Sequence, residues 1–390
     1  MADIDKNIHA SLERLHRAGL GIGALGLLGL VVGAVAGVDY KGSYLFGFYC
    51  WTVLTLGCLA LALLQHMVRA QWGYPVIRVF EAGARVIPYM GVLFIPIGFV
   101  WIKDLYVWMH PSAAEIATVQ WRSPFLNFPF FVIRSVVYFA FFTFVAYKLS
   151  QWSHLEDRTG ESRYSALRAN FGAPMAVFFV LICTVAVTDW VMSLEEHWYS
   201  TIFAFLFVVS QALSAMALAT VYLTTVANKA PFSDILTRQN WRDLGNLLLT
   251  LTILWAYMSF SQWLITWSGN LPEEAIYYVR RTGDFWNVVA VILIFFHFML
   301  PFLLLLSSHI KVSPHWLRGV AIYILIIRVV DLAWHVLPSL GRSGAPVLWT
   351  DLAAFLFFGG VWLALFVREM RKASLLPKYP PAREEAIDYV

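Results

Sequence analysis

The chain has 390 residues, 60% of them hydrophobic and 13% charged, with a formal net charge of +4. Soluble domains carry about a quarter charged residues, so a water-soluble enzyme is excluded, and no window is polar enough to fold as a separate soluble domain. The basic residues are scattered and form no stripe, which argues against a nucleic-acid partner.

Residues 1–18 are polar and of mixed charge, and are read as a segment at the cytoplasmic surface. Ten apolar stretches follow, at 19–37, 43–67, 85–102, 127–149, 172–192, 201–225, 245–267, 285–307, 316–338 and 346–368. Each approaches or exceeds the ~20 residues a helix needs to cross the hydrocarbon. Ala34-Val35-Ala36 resembles a signal-peptidase site, but the apolar run is overlong and its N-terminal flank mixed in charge, so it counts as a span. The expected fold is an all-α integral membrane domain over 19–368, with a cytoplasmic tail at 369–390. Connections at 103–126, 150–171, 226–244 and 268–284 are too short for domains of their own.

Orientation follows from the basic residues. Of 28 lysines and arginines, twenty lie on the side of the N-terminus, six lie opposite (Lys41, Lys103, Arg122, Arg280, Arg281 and Arg342), and two lie within spans. This positive-inside bias places both termini in the cytoplasm. Trp and Tyr gather at the span ends as interfacial anchors do, for example Trp101, Tyr106 and Trp121 on one side and Trp152 and Trp316 on the other.

Val187-Thr188-Asp189-Trp190 in the fifth span echoes Val329-Val330-Asp331-Leu332 in the ninth. The echo suggests two related four-helix bundles, spans 2–5 and 6–9, with spans 1 and 10 at the flanks.

An ionisable residue at mid-membrane costs about 2.5–3.5 kcal/mol on the insertion scale, so each one calls for a reason. Arg328, Asp331 and His335 lie at i, i+3 and i+7, on one face of the ninth span. Two readings stand for them: a proton-exchanging row, with His335 titrating near neutrality, or a structural pair that fixes helix register. His297 sits mid-span before Pro301, which frees a backbone carbonyl beside a titratable ring, so a relay or a satisfied structural histidine both fit. Arg134 and Asp189 can pair across helices. Asp104 and His197 join Asp189 on the outer side, and Glu195 and Glu196 read as a solvated acidic loop with no basic residue. The candidates for a proton path are therefore Asp104, Asp189, His197, His297, Asp331 and His335, with Arg134 and Arg328 as charge partners. No metal ligand set is apparent. Cys50, Cys58 and Cys183 form no CxxC or CxxCH, so this chain supplies neither iron–sulfur ligands nor a covalent haem site. No GxSxG, HExxH or P-loop occurs.

Three segments resemble the NrfD-like, polysulfide-reductase-type membrane subunits of alternative complex III: Met192-Ser193-Leu194-Glu195-Glu196-His197-Trp198-Tyr199-Ser200-Thr201, Phe260-Ser261-Gln262-Trp263 through Asn270-Leu271-Pro272-Glu273-Glu274, and Phe296-His297-Phe298 through Leu303-Leu304-Leu305. The likeness covers nearly the whole chain and is strongest to the smaller of the two NrfD-like subunits. It implies ten helices in two bundles, in a bacterial inner-membrane complex that oxidises quinol such as menaquinol. It also implies partners: a second, larger NrfD-like subunit bearing the quinol pocket, an iron–sulfur subunit, c-type cytochrome subunits, small membrane subunits, a terminal oxidase and lipids. Electrons would pass through the partners' iron–sulfur clusters and haem c, while this chain serves proton transfer and assembly. A secondary transporter and a scaffold without chemistry of its own are the competing readings. Four-helix units give parallel rather than inverted repeats, which separates the chain from the inverted-repeat transporters.

Overall fold

The computed structural model describes residues 2–110, 122–195, 197–342 and 347–378. Among these, ten helices are long and apolar enough to cross a membrane: α1 (Ala10–Val35), α2 (Tyr40–Val68), α3 (Ile77–Val100), α4 (Phe128–Thr159), α5 (Arg163–Leu194), α6 (Phe203–Val226), α7 (Arg238–Gly269), α8 (Phe285–Leu306), α9 (Pro314–Leu340) and α10 (Trp349–Met370). The chain is thus an all-α, multi-pass membrane protein. Even span number puts the two ends of the described chain on one face, here the terminal face.

Local chemistry sets the helix ends. Asp39 caps α2 by accepting the Gly42 amide at 2.9 Å, and Asn127 caps α4 by accepting the Phe130 amide at 3.0 Å. α4 stops at Gly160, which takes the left-handed conformation (φ 73°) that a side chain would resist.

Helices α2 to α5 pack in a ring, each against the next and α5 back against α2, and α6 to α9 repeat the arrangement. The rings meet mainly along α2 and α6. A side chain at Gly57 would bring its Cβ within 1.9 Å of the Gln211 carbonyl oxygen, so this seam depends on backbone contact. α10 packs on α2, and α1 packs on α10. Asp189 and Asp331 each lie on the last helix of a bundle, as the repeat predicts.

Three expectations shift. The polar N-terminal segment and the first span form one unbroken helix, Ala2–Val35. The third span begins at Ile77 rather than 85, so Arg78, read as a loop cation, lies buried within it. Of the tail, residues 379–390 lie outside the described residues; Lys378 folds back, its amide donating to Asp157 Oδ1 at 2.9 Å.

α1 and α10 approach through glycine. A Cβ at Gly26 would stand 2.2 Å from the Phe357 nitrogen, a clash that only separation of the helices relieves. Gly26→Val is therefore expected to destabilise the fold by about 1–3 kcal/mol, the usual range for overpacking. The thermal midpoint of the purified protein in detergent reads this directly. An unchanged midpoint would mean that α1 does not dock in solution.

Candidate functional site

The second bundle gathers the deepest unsatisfied polar groups. Arg328 and Asp331 form an ion pair on α9, both nearly inaccessible. Arg328 Nε also donates to Ser214 on α6 at 3.3 Å, but its Nη2 has no hydrogen-bond partner. Asp331 Oδ1, the carboxylate oxygen turned away from the arginine, has no well-aligned hydrogen bond, though the Trp255 indole faces this carboxylate. The same oxygen neighbours His335 Nε2, one turn further along α9 at 3.7 Å.

His297 enters from α8. A π-helical stretch, Leu293–Met299, precedes Pro301, so the widened turn accommodates the proline and carries the histidine with it. The ring is 1% exposed, with neither nitrogen hydrogen-bonded. It lies edge-on to Trp255 of α7 at 3.8 Å between centroids. The Ser259 hydroxyl one turn from Trp255 is likewise buried without a partner, while the Trp255 indole is turned toward Asp331 without a well-aligned bond. Apolar surroundings make each such group costly, by about 1–3 kcal/mol.

From this depth a row leads to the face opposite the termini. His335 Nδ1 and the Tyr277 hydroxyl are 2.6 Å apart. Tyr277 stands on the short connecting helix Pro272–Val279 and stacks on Trp198 at 4.1 Å. Burial pushes its phenol well above the usual range, so it stays neutral. A neutral phenol that donates to Nδ1 leaves the imidazole proton on Nε2, facing Asp331 Oδ1. Arg281 covers the other side of Tyr277, 3.5 Å from the ring centroid, and donates to the carbonyls of Tyr277, Trp334 and His335. Beyond it Glu195 accepts from Ser339 at 2.8 Å and pairs with Arg281 at 3.4 Å and Arg280 at 3.0 Å. Arg280 is 39% exposed and ends the row at the surface.

This corrects the reading of 195–197 as a solvated acidic loop. Glu195 is 3% exposed, and its cations come from a loop 86 residues away, which local sequence could not reveal. Glu196 lies outside the described residues. His197 is half-buried next to Trp198.

The first bundle holds a pair of different character. Arg134 and Asp189 pair across helices, as expected. Arg134 Nη2 and Nε donate to the two oxygens of Asp189, both at 2.7 Å, and Tyr138 adds a third bond at 2.6 Å. Arg134 Nη1 donates to the Phe125 carbonyl, and Phe125 and Phe130 flank the guanidinium at 3.8 and 4.3 Å. Asp189 has no exposed surface and no oxygen left unserved. Asp104 is apart from all of these, half-exposed and paired with Lys41 at 2.6 Å. The structure thus joins Arg328, Asp331 and His335, brings His297 near them through Trp255, and separates them from both Asp189 and Asp104.

Two further groups escaped the sequence reading. At the terminal face Arg78 reaches Glu81, Ser153 and Asp157, with His66 3.3 Å from Glu81. Arg78 and Glu81 stand at i, i+3, a signal lost when the span was started at 85. At the opposite face Arg342 ties Asp351 of α10, at 2.7 Å, to Asp39 before α2, at 2.8 Å. Among the described residues no three His, Cys, Asp or Glu side chains gather as metal ligands.

Set against models of known protein families and against curated proteins, the chain matches none.

Proposed function

We propose that this chain is an NrfD-like integral-membrane subunit of a quinol-oxidising respiratory complex of the alternative complex III type. In it the second bundle carries protons while electrons pass through iron–sulfur clusters and haem c on partner subunits. Support comes from the three resembling segments and from the two-ring packing. The observation that carries the reading is Asp331 Oδ1, buried without a well-aligned hydrogen bond among a paired arginine, the Trp255 indole and a histidine. Asp189, by contrast, has both oxygens served by Arg134 and Tyr138. With the termini in the cytoplasm, as the basic residues argue, the row from Asp331 through His335 to Tyr277 opens outward, with His297 behind Trp255 at its inner end and Glu195 beyond Arg281 at its outer end. That is the side on which quinol oxidation releases protons in an energy-conserving complex. Asp189 and Arg134 then serve structure in this chain, and Asp104 lies off the route.

Replacing Asp331 by Asn in the assembled complex tests this. The amide keeps the shape and removes the exchangeable charge. Fewer protons should appear outside per electron passed, with haem c and iron–sulfur absorbance still co-purifying. An unchanged proton yield removes Asp331 from the route; a chain that purifies alone, without those chromophores, removes the complex.

A further inference from the structure

An apolar groove of about 800 Å³ opens between α3 and α4 on the outer surface of the first bundle. Pro88, Gly91 and Ile95 line one wall and Phe139, Ala140 and Tyr147 the other, and no charged side chain enters it. Along α3 it runs from Pro88 to Phe99, roughly 16 Å at the helical rise. That is about half of the ~30 Å hydrocarbon thickness, the depth of a single leaflet.

The end nearer the termini is cationic. Arg85 covers the Tyr147 ring at 4.0 Å and donates to Glu369 at 3.1 Å. Arg368 and Lys372 use the same carboxylate, at 3.2 and 2.5 Å. Three cations on one anion leave a formal surplus of two positive charges. Arg368 and Lys372 are 44% and 47% exposed, so this surplus is presented outward. Tyr89, next to Pro88, lies under the Arg368 guanidinium at 5.0 Å. A groove one leaflet deep, ending in aromatic rings and a cluster with surplus positive charge at headgroup level, has the features of a site for an acyl chain joined to a phosphate diester.

We propose that this groove holds one anionic phospholipid of the bilayer, its acyl chain along α3 and α4 and its phosphate against Arg368 and Lys372. An isoprenoid quinone could fill the apolar part but offers nothing to the cations. The site is separate from the proton row in the other bundle, and it stands whether or not that row conducts.

Native mass spectrometry of the detergent-purified protein, titrated with phosphatidylglycerol or with phosphatidylcholine of the same chains, tests the proposal. Phosphatidylglycerol should bind more tightly. Combining Arg368→Gln with Lys372→Gln should weaken it roughly thirtyfold, from the roughly fivefold that one surface cation contributes to attraction for anionic lipid. Ala140→Trp, which fills the groove from its α4 wall and leaves the cations intact, should reduce retention of both lipids. Equal affinity for the two lipids, a phosphatidylglycerol preference that survives the double substitution, or undiminished retention in Ala140→Trp would each overturn it.

Discussion

Asp189→Leu should destabilise the protein by about 3–5 kcal/mol, the usual consequence of removing one member of a buried ion pair. The carboxylate is fully buried and receives three hydrogen bonds, two from Arg134 and one from Tyr138. Leucine would leave the guanidinium in an apolar site with the Phe125 carbonyl, the Tyr138 hydroxyl and two aromatic faces for company. Removing both charges is a different experiment. Arg134→Met combined with Asp189→Leu should recover most of the loss, because well-packed apolar side chains often replace a buried pair without penalty. Thermal unfolding in detergent measures both variants. If the double variant is as unstable as the single one, the pair does more than satisfy itself. If the recovered double variant also retains proton release, the structural role assigned to Asp189 stands.

The fold was legible because lipid leaves few choices. Backbone polar groups in hydrocarbon must be satisfied within the segment, so an apolar run of sufficient length becomes a helix. The two-bundle arrangement was also within reach, through the short echo around Asp189 and Asp331. Helix α3 was misplaced at its start because Arg78 and Glu81 neutralise each other inside the protein, while hydropathy counts each as a charge in lipid. In the second bundle the site was legible only where partners are close in sequence. Arg328, Asp331 and His335 share a helical face, and their spacing alone aligned them. Glu195 with Arg281, His335 with Tyr277, and His297 with Trp255 come together only on folding, and no local pattern marks any of these pairs. Asp104 was grouped with Asp189 because both lie toward the outer side, yet the helices carry it to Lys41 instead.

On the proposed proton-carrying role of the second bundle, Tyr277→Phe should slow proton release to the outer face by about a hundredfold or more, the range that a well-placed proton-transfer group contributes. The substitution isolates the hydroxyl. The phenylalanine ring can keep its stack on Trp198 and its place beneath Arg281, so the path loses an O–H and little packing. His335 Nδ1 would lose its 2.6 Å partner, at a stability cost of about 1–3 kcal/mol for a buried unsatisfied group. That loss is small enough for the complex to assemble, so rate and stability can be read separately. The row predicts how Tyr277→Phe and Asp331→Asn combine. Two breaks at different steps of one serial path should together slow release little more than the worse break alone, because the step times add, whereas multiplied effects would mean that both side chains act on the same step. Proton release followed by a pH-sensitive dye during quinol turnover distinguishes these outcomes. Wild-type rates in Tyr277→Phe would send the protons elsewhere and leave the Tyr277–His335 contact as a structural hydrogen bond.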